Sequence, residues 1–294
     1  MAELYLREDL AIAWNGEDPF AAAFALRGEL ARDVPGRQTL RTEINGRSYY
    51  IKRHSGVGWL EILKNVLTGK RPVLGADNEF LAARKLAAHG VDTLPVAAFG
   101  RRGASPAARQ SFLVTDDLSP AISLETLCVT WPEEPPEPEL KRALIRRVAG
   151  IARQMHGLGI NHQDFYICHF LLRTDHVPAL SEIADMPLHV IDLHRAELRE
   201  TVPERWLEKD LGGLYFSALD VGLTRRDVLR FLRAYYNLPL RDVIARHGPF
   251  LQACSRRANT LYMKAMTRRQ LPRQVAGLPH PVDSLAETNQ RGAE

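Results

Sequence analysis

The feature that most constrains how this chain folds is Asn45-Gly46, set between two runs of alternating residues, Thr39–Ile44 and Arg47–Lys52. Asn-Gly suits a two-residue turn with both residues at positive φ, whose twist matches that of two antiparallel strands. A hairpin is therefore expected here. An earlier strand is expected to start near Asp33, with Pro35-Gly36 as the turn between the first two strands. Val96–Phe99 and Ser111–Thr115 read as further strands, separated by a Gly/Arg/Ala turn. Residues 1–32 read as mostly helical or irregular, with Asp18-Pro19 opening a short alanine-rich helix. Two helices fall between the strands. Ser55–Leu74 carries a broad apolar face and a basic exit at Lys70-Arg71, and Asp77–His89 is stopped by Gly90.

The texture changes after Asp116-Asp117. Ser119–Ile122 and the acidic, proline-rich Trp131–Pro138 read as connections, and helices dominate from there. Leu140–Gly157 is amphipathic at helical spacing. Glu208–Val221, Thr224–Tyr236 (with Thr224 as N-cap), Leu240–His247 and Ala253–Gln270 follow. The expected class is α+β. It comprises a small antiparallel-sheet lobe over residues 1–115, a hinge and linker over 116–138, and a helical lobe over 139–270. Residues 271–294 are expected to form a mobile tail.

Composition limits the classes of function. At 294 residues with 45% hydrophobic and 25% charged content, the chain can bury a sizeable core. Three cysteines form no disulfide framework, which fits a reducing compartment. The start, MAELYLRED, lacks the apolar core of a secretory signal, and no run is long enough to span a bilayer, so a cytoplasmic protein is expected. Basic residues gather at Lys64, Lys70 and Arg71, and again at Arg256, Arg257, Lys264, Arg268, Arg269 and Arg273. Such surfaces favour phosphate-bearing or acidic partners, or are simply solvated. Nucleic acid is disfavoured, because no aromatics interleave the charges and no reading module is present.

The chemistry concentrates in two stretches. Asn161–Leu172, NHQDFYICHFLL, puts His162, Asp164 and His169 in a loop-like segment that runs into an apolar burst; Val190–Leu193, VIDL, is an apolar run reaching Asp192. Two carboxylates presented this way suit phosphoryl transfer, one as base for a hydroxyl and the other as ligand for magnesium. His162 reads as an orienting residue. His169 reads either as a group beside the metal or as a satisfied buried histidine. Lys52, at the end of its strand, suits nucleotide phosphates, with Glu79 as the carboxylate that holds it. Asp116 and Asp117 are grouped with the nucleotide-binding residues. A zinc set of His162, Cys168, His169 and His176 matches no familiar spacing. No P-loop, dinucleotide or nucleophile-elbow motif occurs.

The order Lys52, Glu79, His162-Gln163-Asp164, His169, Asp192 resembles the protein-kinase-like superfamily. KRHSG, PVLGADNEF, TDDLSPAISLE, INHQDFYICHFLL, VIDLHRA and KDLGGLYFSALDVGLTRRD together resemble the lipopolysaccharide core heptose(I) kinases of Gram-negative bacteria. The resemblance covers roughly residues 1–270. It implies a bilobal kinase-like fold and transfer of the γ-phosphoryl of ATP, with Mg2+, to the first heptose of the inner core at the cytoplasmic face of the inner membrane. Asp164 is then the base, Asp192 the main magnesium ligand, Lys52 and Glu79 the phosphate-positioning pair, and Asp210 the brace of the catalytic loop. Gln163 stands where kinases carry arginine, and His169 where they carry a metal-binding asparagine. The apolar, basic-flanked helix at 55–74 would then rest on an anionic leaflet, an acidic protein or only the sheet lobe. The alternatives are a kinase of another small molecule or protein, and a non-enzymatic pseudokinase-like module.

Overall fold

The computed structural model describes residues 3–34, 36–56, 75–105, 109–174 and 187–270, with side chains through 267. Most of the expected Ser55–Leu74 helix, with Lys64, Lys70 and Arg71, lies outside the described residues, as do Pro35, His176 and the tail from Leu271.

The chain opens with β1 (Glu3–Leu6), α1 (Glu8–Ala13) and α2 (Pro19–Ala25). Asp18 caps α2 by accepting from the Phe20 amide at 3.2 Å, and Pro19 fills the first turn, where no N–H is needed. β2 (Glu29–Val34), β3 (Arg37–Ile44) and β4 (Arg47–His54) follow. Asn45 and Gly46 turn between β3 and β4 at φ 51° and 76°, and Ile44 pairs with Arg47. The first strand of this set begins at Glu29, earlier than Asp33, and β1 lies in a stretch expected to be helical or irregular. After α3 (Asp77–Ala88) come β5 (Val96–Arg102) and β6 (Gln110–Asp116). One six-stranded sheet results, in the order β1-β5-β6-β4-β3-β2, antiparallel at every junction.

Alternation decides what each face of this sheet meets. Tyr49, Ile51, Phe112 and Val114 pack with Leu10, Trp14 and Phe20 beneath α1 and α2. Phe99 and Leu113 face the other way onto Phe80 of α3, whose ring stacks on Phe99 at 4.1 Å. Lys52 is one residue on from Ile51, so it points to the α3 side.

The larger lobe holds β7 (Ala121–Ser123), α4 (Leu124–Leu127), α5 (Pro138–Gly157), β8 (Ile160–Asn161), β9 (Phe170–Arg173), β10 (Leu188–Val190), β11 (Glu197–Leu198), α6 (Glu204–Ser217), α7 (Arg225–Tyr236) and α8 (Leu240–Gln270). Thr224 and Asp227 close a reciprocal capping box on α7. The two helices expected over 240–247 and 253–270 are one helix that runs through Pro249. Its core gathers α5, α6 and β8 to β10 around Leu144, Met155, Ile160, Phe165, Phe170 and Leu211.

The two lobes meet through the residues after α3. Thr93 bridges Val190, donating from Oγ1 to its carbonyl at 2.7 Å, and the Val190 amide bonds to Asp92 O at 2.9 Å. Lys85 of α3 donates to Leu158 O at 2.6 Å. This small sheet lobe over a larger helical lobe is the bilobal kinase-like fold. No described helix is long and apolar enough to cross a membrane.

Candidate active site

The loop between β8 and β9 owes its shape to one buried carboxylate. Asp210 on α6 is fully buried and accepts the backbone amides of His162 at 2.7 Å and Gln163 at 2.8 Å. Without it, two amides in a turn that neither strand continues would be buried unpaired. Gln163 sits at φ 73°, so the loop reverses there. Behind Asp210, His156 Nε2 approaches at 3.3 Å, and its Nδ1 pairs with the Tyr235 hydroxyl at 2.9 Å.

α6 comes this close because it carries Gly212-Gly213. A Cβ on Gly213 would lie 3.2 Å from the Tyr166 ring and 3.3 Å from Phe165 O. One on Gly212 would meet the stem of Arg257 at 2.7 Å. The glycine pair lets the helix touch the loop at Gly213 and the Arg257 stem of α8 at the adjacent Gly212.

Each imidazole of the loop has its tautomer set by a carbonyl. His162 donates from Nε2 to Ile191 O at 2.8 Å, joining the loop to the segment that leads into Asp192. Burial, with His169 alongside, pushes the His162 ring below its ordinary value, so it is neutral. His169 donates from Nδ1 to Asp164 O at 2.7 Å, which turns Nε2 toward Asp192, 3.6 Å from its Oδ2. One ring therefore spans from the backbone of Asp164 to the carboxylate of Asp192.

Asp192 follows β10 in a left-handed conformation, φ 59°. Its Oδ1 accepts His194 Nδ1 at 2.5 Å and lies 3.9 Å from Lys52 Nζ, which is itself 2.5 Å from Glu79 Oε1. Burial works to raise the Asp192 carboxyl. The His194 hydrogen bond, with the charges of Lys52 and His169, overrules it and holds the group well below the usual carboxylate range. Asp192 is thus ionised at any working pH.

Asp164 is met by Arg195, whose Nη1 stands 2.9 and 3.1 Å from the two carboxylate oxygens. Sequence reasoning missed both Arg195 and His194. Their signal was their position directly after Asp192, where Leu193-His194 read only as a departure from the phenylalanine and glycine of kinases.

The structure joins Lys52, Glu79, His162, Asp164, His169 and Asp192 in one set of contacts where the lobes meet. Asp116 and Asp117, grouped with them from the sequence, are engaged elsewhere. Asp116 is held by Arg7 at 2.7 Å and Arg47 at 2.8 Å, and Asp117 by Arg41 at 2.7 Å and Ser48 at 2.8 Å. Their amides bond to Pro95 O and Ser48 O. These carboxylates tie down the ends of the central strands, so a nucleotide would have to compete with arginines for them. Of the zinc set, His162 and His169 stack at 5.6 Å with their nitrogens directed as above, and the described residues contain no cluster of three or more metal-ligating side chains.

An ammonium fixed by a glutamate, an ionised carboxylate with an imidazole beside it, and a second carboxylate on a braced loop are parts that a phosphoryl-transfer site can use. The sequence model of the lipopolysaccharide kinase (Kdo/WaaP) family matches residues 21–235. The lipopolysaccharide core heptose(I) kinase WaaP of Pseudomonas aeruginosa is 51% identical over 259 residues, covering 88% of this chain and 96% of that protein. Its namesake from Escherichia coli K12 is 46% identical over 265 residues, covering 90% of this chain and 98% of that protein. A solved structure of WaaP in complex with acyl carrier protein is similar at a TM-score of 0.77 and 46% identity, over 88% of this chain and 99% of that one.

Proposed function

Since the chain belongs to the lipopolysaccharide kinase (Kdo/WaaP) family, and is therefore a phosphotransferase with a hydroxyl acceptor, we propose that it transfers the γ-phosphoryl of ATP to the first heptose of the lipopolysaccharide inner core. The observation that carries this reading is the 51% identity to a heptose(I) kinase over nearly that enzyme's whole length.

The donor set suits magnesium. Magnesium takes one or two protein carboxylates and completes its shell with phosphate oxygens and water, so an all-protein cage is not needed. Asp192 would hold it, and His169 Nε2, once deprotonated by the bound ion, would coordinate it or accept from one of its waters. The ion supplies neutralisation of the phosphate charge when bound with ATP. Lys52, fixed by Glu79, orients the phosphates. Asp164 takes the proton of the heptose hydroxyl as that oxygen bonds to the γ-phosphorus and the bond to the bridging oxygen of ADP breaks. His162 and Asp210 hold the loop so that this carboxylate needs no reorganisation.

The enzyme would work at the cytoplasmic face of the inner membrane, where its glycolipid is anchored. A carrier-protein partner is part of the same proposal, because the solved relative was captured with acyl carrier protein. The test is mass spectrometry of core glycolipid after incubation with ATP and magnesium. A gain of one phosphate with wild type and none with Asp164→Ala supports the reading. Equal turnover with water or generic proteins as acceptor refutes it.

A further inference from the structure

Asp164 has more positive charge around it than one carboxylate requires. Arg195 contacts it directly but through Nη1 alone, and its remaining donors make no hydrogen bond among the described residues. Lys209 reaches toward the same loop from α6, one residue before Asp210. Its Nζ donates to Gln163 Oε1 at 3.2 Å and lies 5.1 Å from the centre of the Trp206 ring. No carboxylate lies within 4.0 Å of that ammonium among the described residues. Arg257 runs along Gly212, where only a missing Cβ admits its stem, and its nearest acid, Glu208, is 4.0 Å away.

The three cations share one neighbourhood. Burial lowers the Lys209 ammonium, and Arg195 and Arg257 lower it further. Burial raises the Tyr166 phenol, which feels Asp164, Arg195 and Arg257 together. Asp192, by contrast, is contacted by Lys52, His169 and His194. Lys52 therefore stands by Asp192 while Arg195, with Lys209 and Arg257 in its neighbourhood, stands by Asp164, and only Lys52 is accounted for by nucleotide phosphates.

We propose that Arg195, Lys209 and Arg257 form an anion subsite beside Asp164, which receives a carboxylate or phosphate borne by the acceptor glycolipid next to the sugar that is phosphorylated. This rests on the proposed activity and specifies how its acceptor is recognised. Arg195 bridges the base and the anion, so the acceptor docks with its hydroxyl against Asp164. A guanidinium pair and an ammonium are the usual partners of such groups.

Steady-state kinetics with core glycolipid and ATP test this on the full chain, in wild type, Lys209→Gln, Lys209→Arg and Arg257→Gln, with sulfate as a competing anion. The KM for glycolipid should rise about 10-fold in Lys209→Gln and in Arg257→Gln, as expected for a lost charged hydrogen bond. The KM for ATP should stay within about twofold. Lys209→Arg should restore the acceptor KM, and sulfate should compete with glycolipid in wild type and more weakly in Lys209→Gln. The inference is overturned if the acceptor KM is unmoved, if the ATP KM moves with it (a nucleotide-phosphate site), or if sulfate fails to compete with glycolipid. The sulfate arm needs no variant, so it decides the matter even if a substitution unfolds the protein. Wild type without transfer to glycolipid would refute the proposed function instead.

Discussion

His169 donates from Nδ1 to the carbonyl of Asp164 and turns its other nitrogen on Asp192. Two substitutions test both ends. Asn at 169, the residue kinases carry there, can donate its amide N–H to the Asp164 carbonyl and still offer an oxygen to a metal, whereas Ala keeps neither. His169→Ala is expected to need about 10-fold more magnesium for half-maximal rate, the usual scale for a group supporting a metal site, and His169→Asn to need less of it than Ala does. His169→Ala should lose stability as well. Magnesium titration of the rate, with thermal melts of both variants, checks this; unchanged magnesium dependence in both would remove His169 from the metal site.

Asp210 gives the second prediction. Removing it leaves the amides of His162 and Gln163 buried without acceptors, at about 1–3 kcal/mol each. Asp210→Ala should lose about 2–5 kcal/mol in urea unfolding. Its rate should fall even below the denaturation range. A variant as stable as wild type would show that the loop is braced by something else.

Two glycines should respond in opposite directions. Gly213→Ala presses a methyl against Tyr166 and Phe165 O and should cost about 1–3 kcal/mol while lowering kcat. Gly150 lies within α5 with nothing inside 4 Å of its would-be Cβ, and Gly150→Ala should stabilise by about 0.5–1 kcal/mol. Denaturant midpoints read both.

Acid should loosen the protein over a defined window. Burial favours the protonated form of Asp117, but Ser119, Arg41 and Ser48 outweigh it and take its pKa from 3.8 to about 2. Asp227 falls to about 2 as well, where Thr224 and Lys141 outweigh burial. Both pKa values are lower in the folded state than in the unfolded one, so their stabilisation is complete above the unfolded value near 4 and fades as pH drops toward 2. Melting temperature should fall across that window, and Asp117→Asn should flatten the decline. A wild-type curve flat from pH 5 to 2 would contradict the assignment.

The thiols should be sluggish. Burial takes Cys128, Cys168 and Cys254 to about 12, which leaves about one thiolate in 10^4 at pH 8. Native labelling with a maleimide should lag far behind that of the urea-unfolded chain. Rapid stoichiometric labelling of the native protein would count against these burials.

What the sequence made legible was local. The Asn45-Gly46 hairpin, the Asp18-Pro19 start and the Thr224 cap need only neighbours in the chain. β2 is exposed at all six positions and β1 is at most half-buried, so neither carries the alternation that betrays a strand with a buried face. Gly248-Pro249 reads as a break, yet α8 continues through it because packing on α6 outweighs local propensity. Lys52 and Glu79 could be paired from a strand and a helix. Asp116 could not be placed, because its arginines come from positions 7 and 47, and an acid looks alike whether it meets ATP or a guanidinium. Arg195 was hidden for the same reason, 31 residues from its carboxylate.

The bonds from Thr93 to Val190 and from Lys85 to Leu158 moor the helix that bears Glu79 to the lobe that bears Asp192. Kinases that wait for a signal commonly swing the corresponding helix aside and unhook its glutamate. Here that swing would first have to tear both anchors, so Lys52, Glu79 and Asp192 stand together without a signal, and under the proposed activity turnover would follow the supply of acceptor rather than a change of the enzyme's own posture.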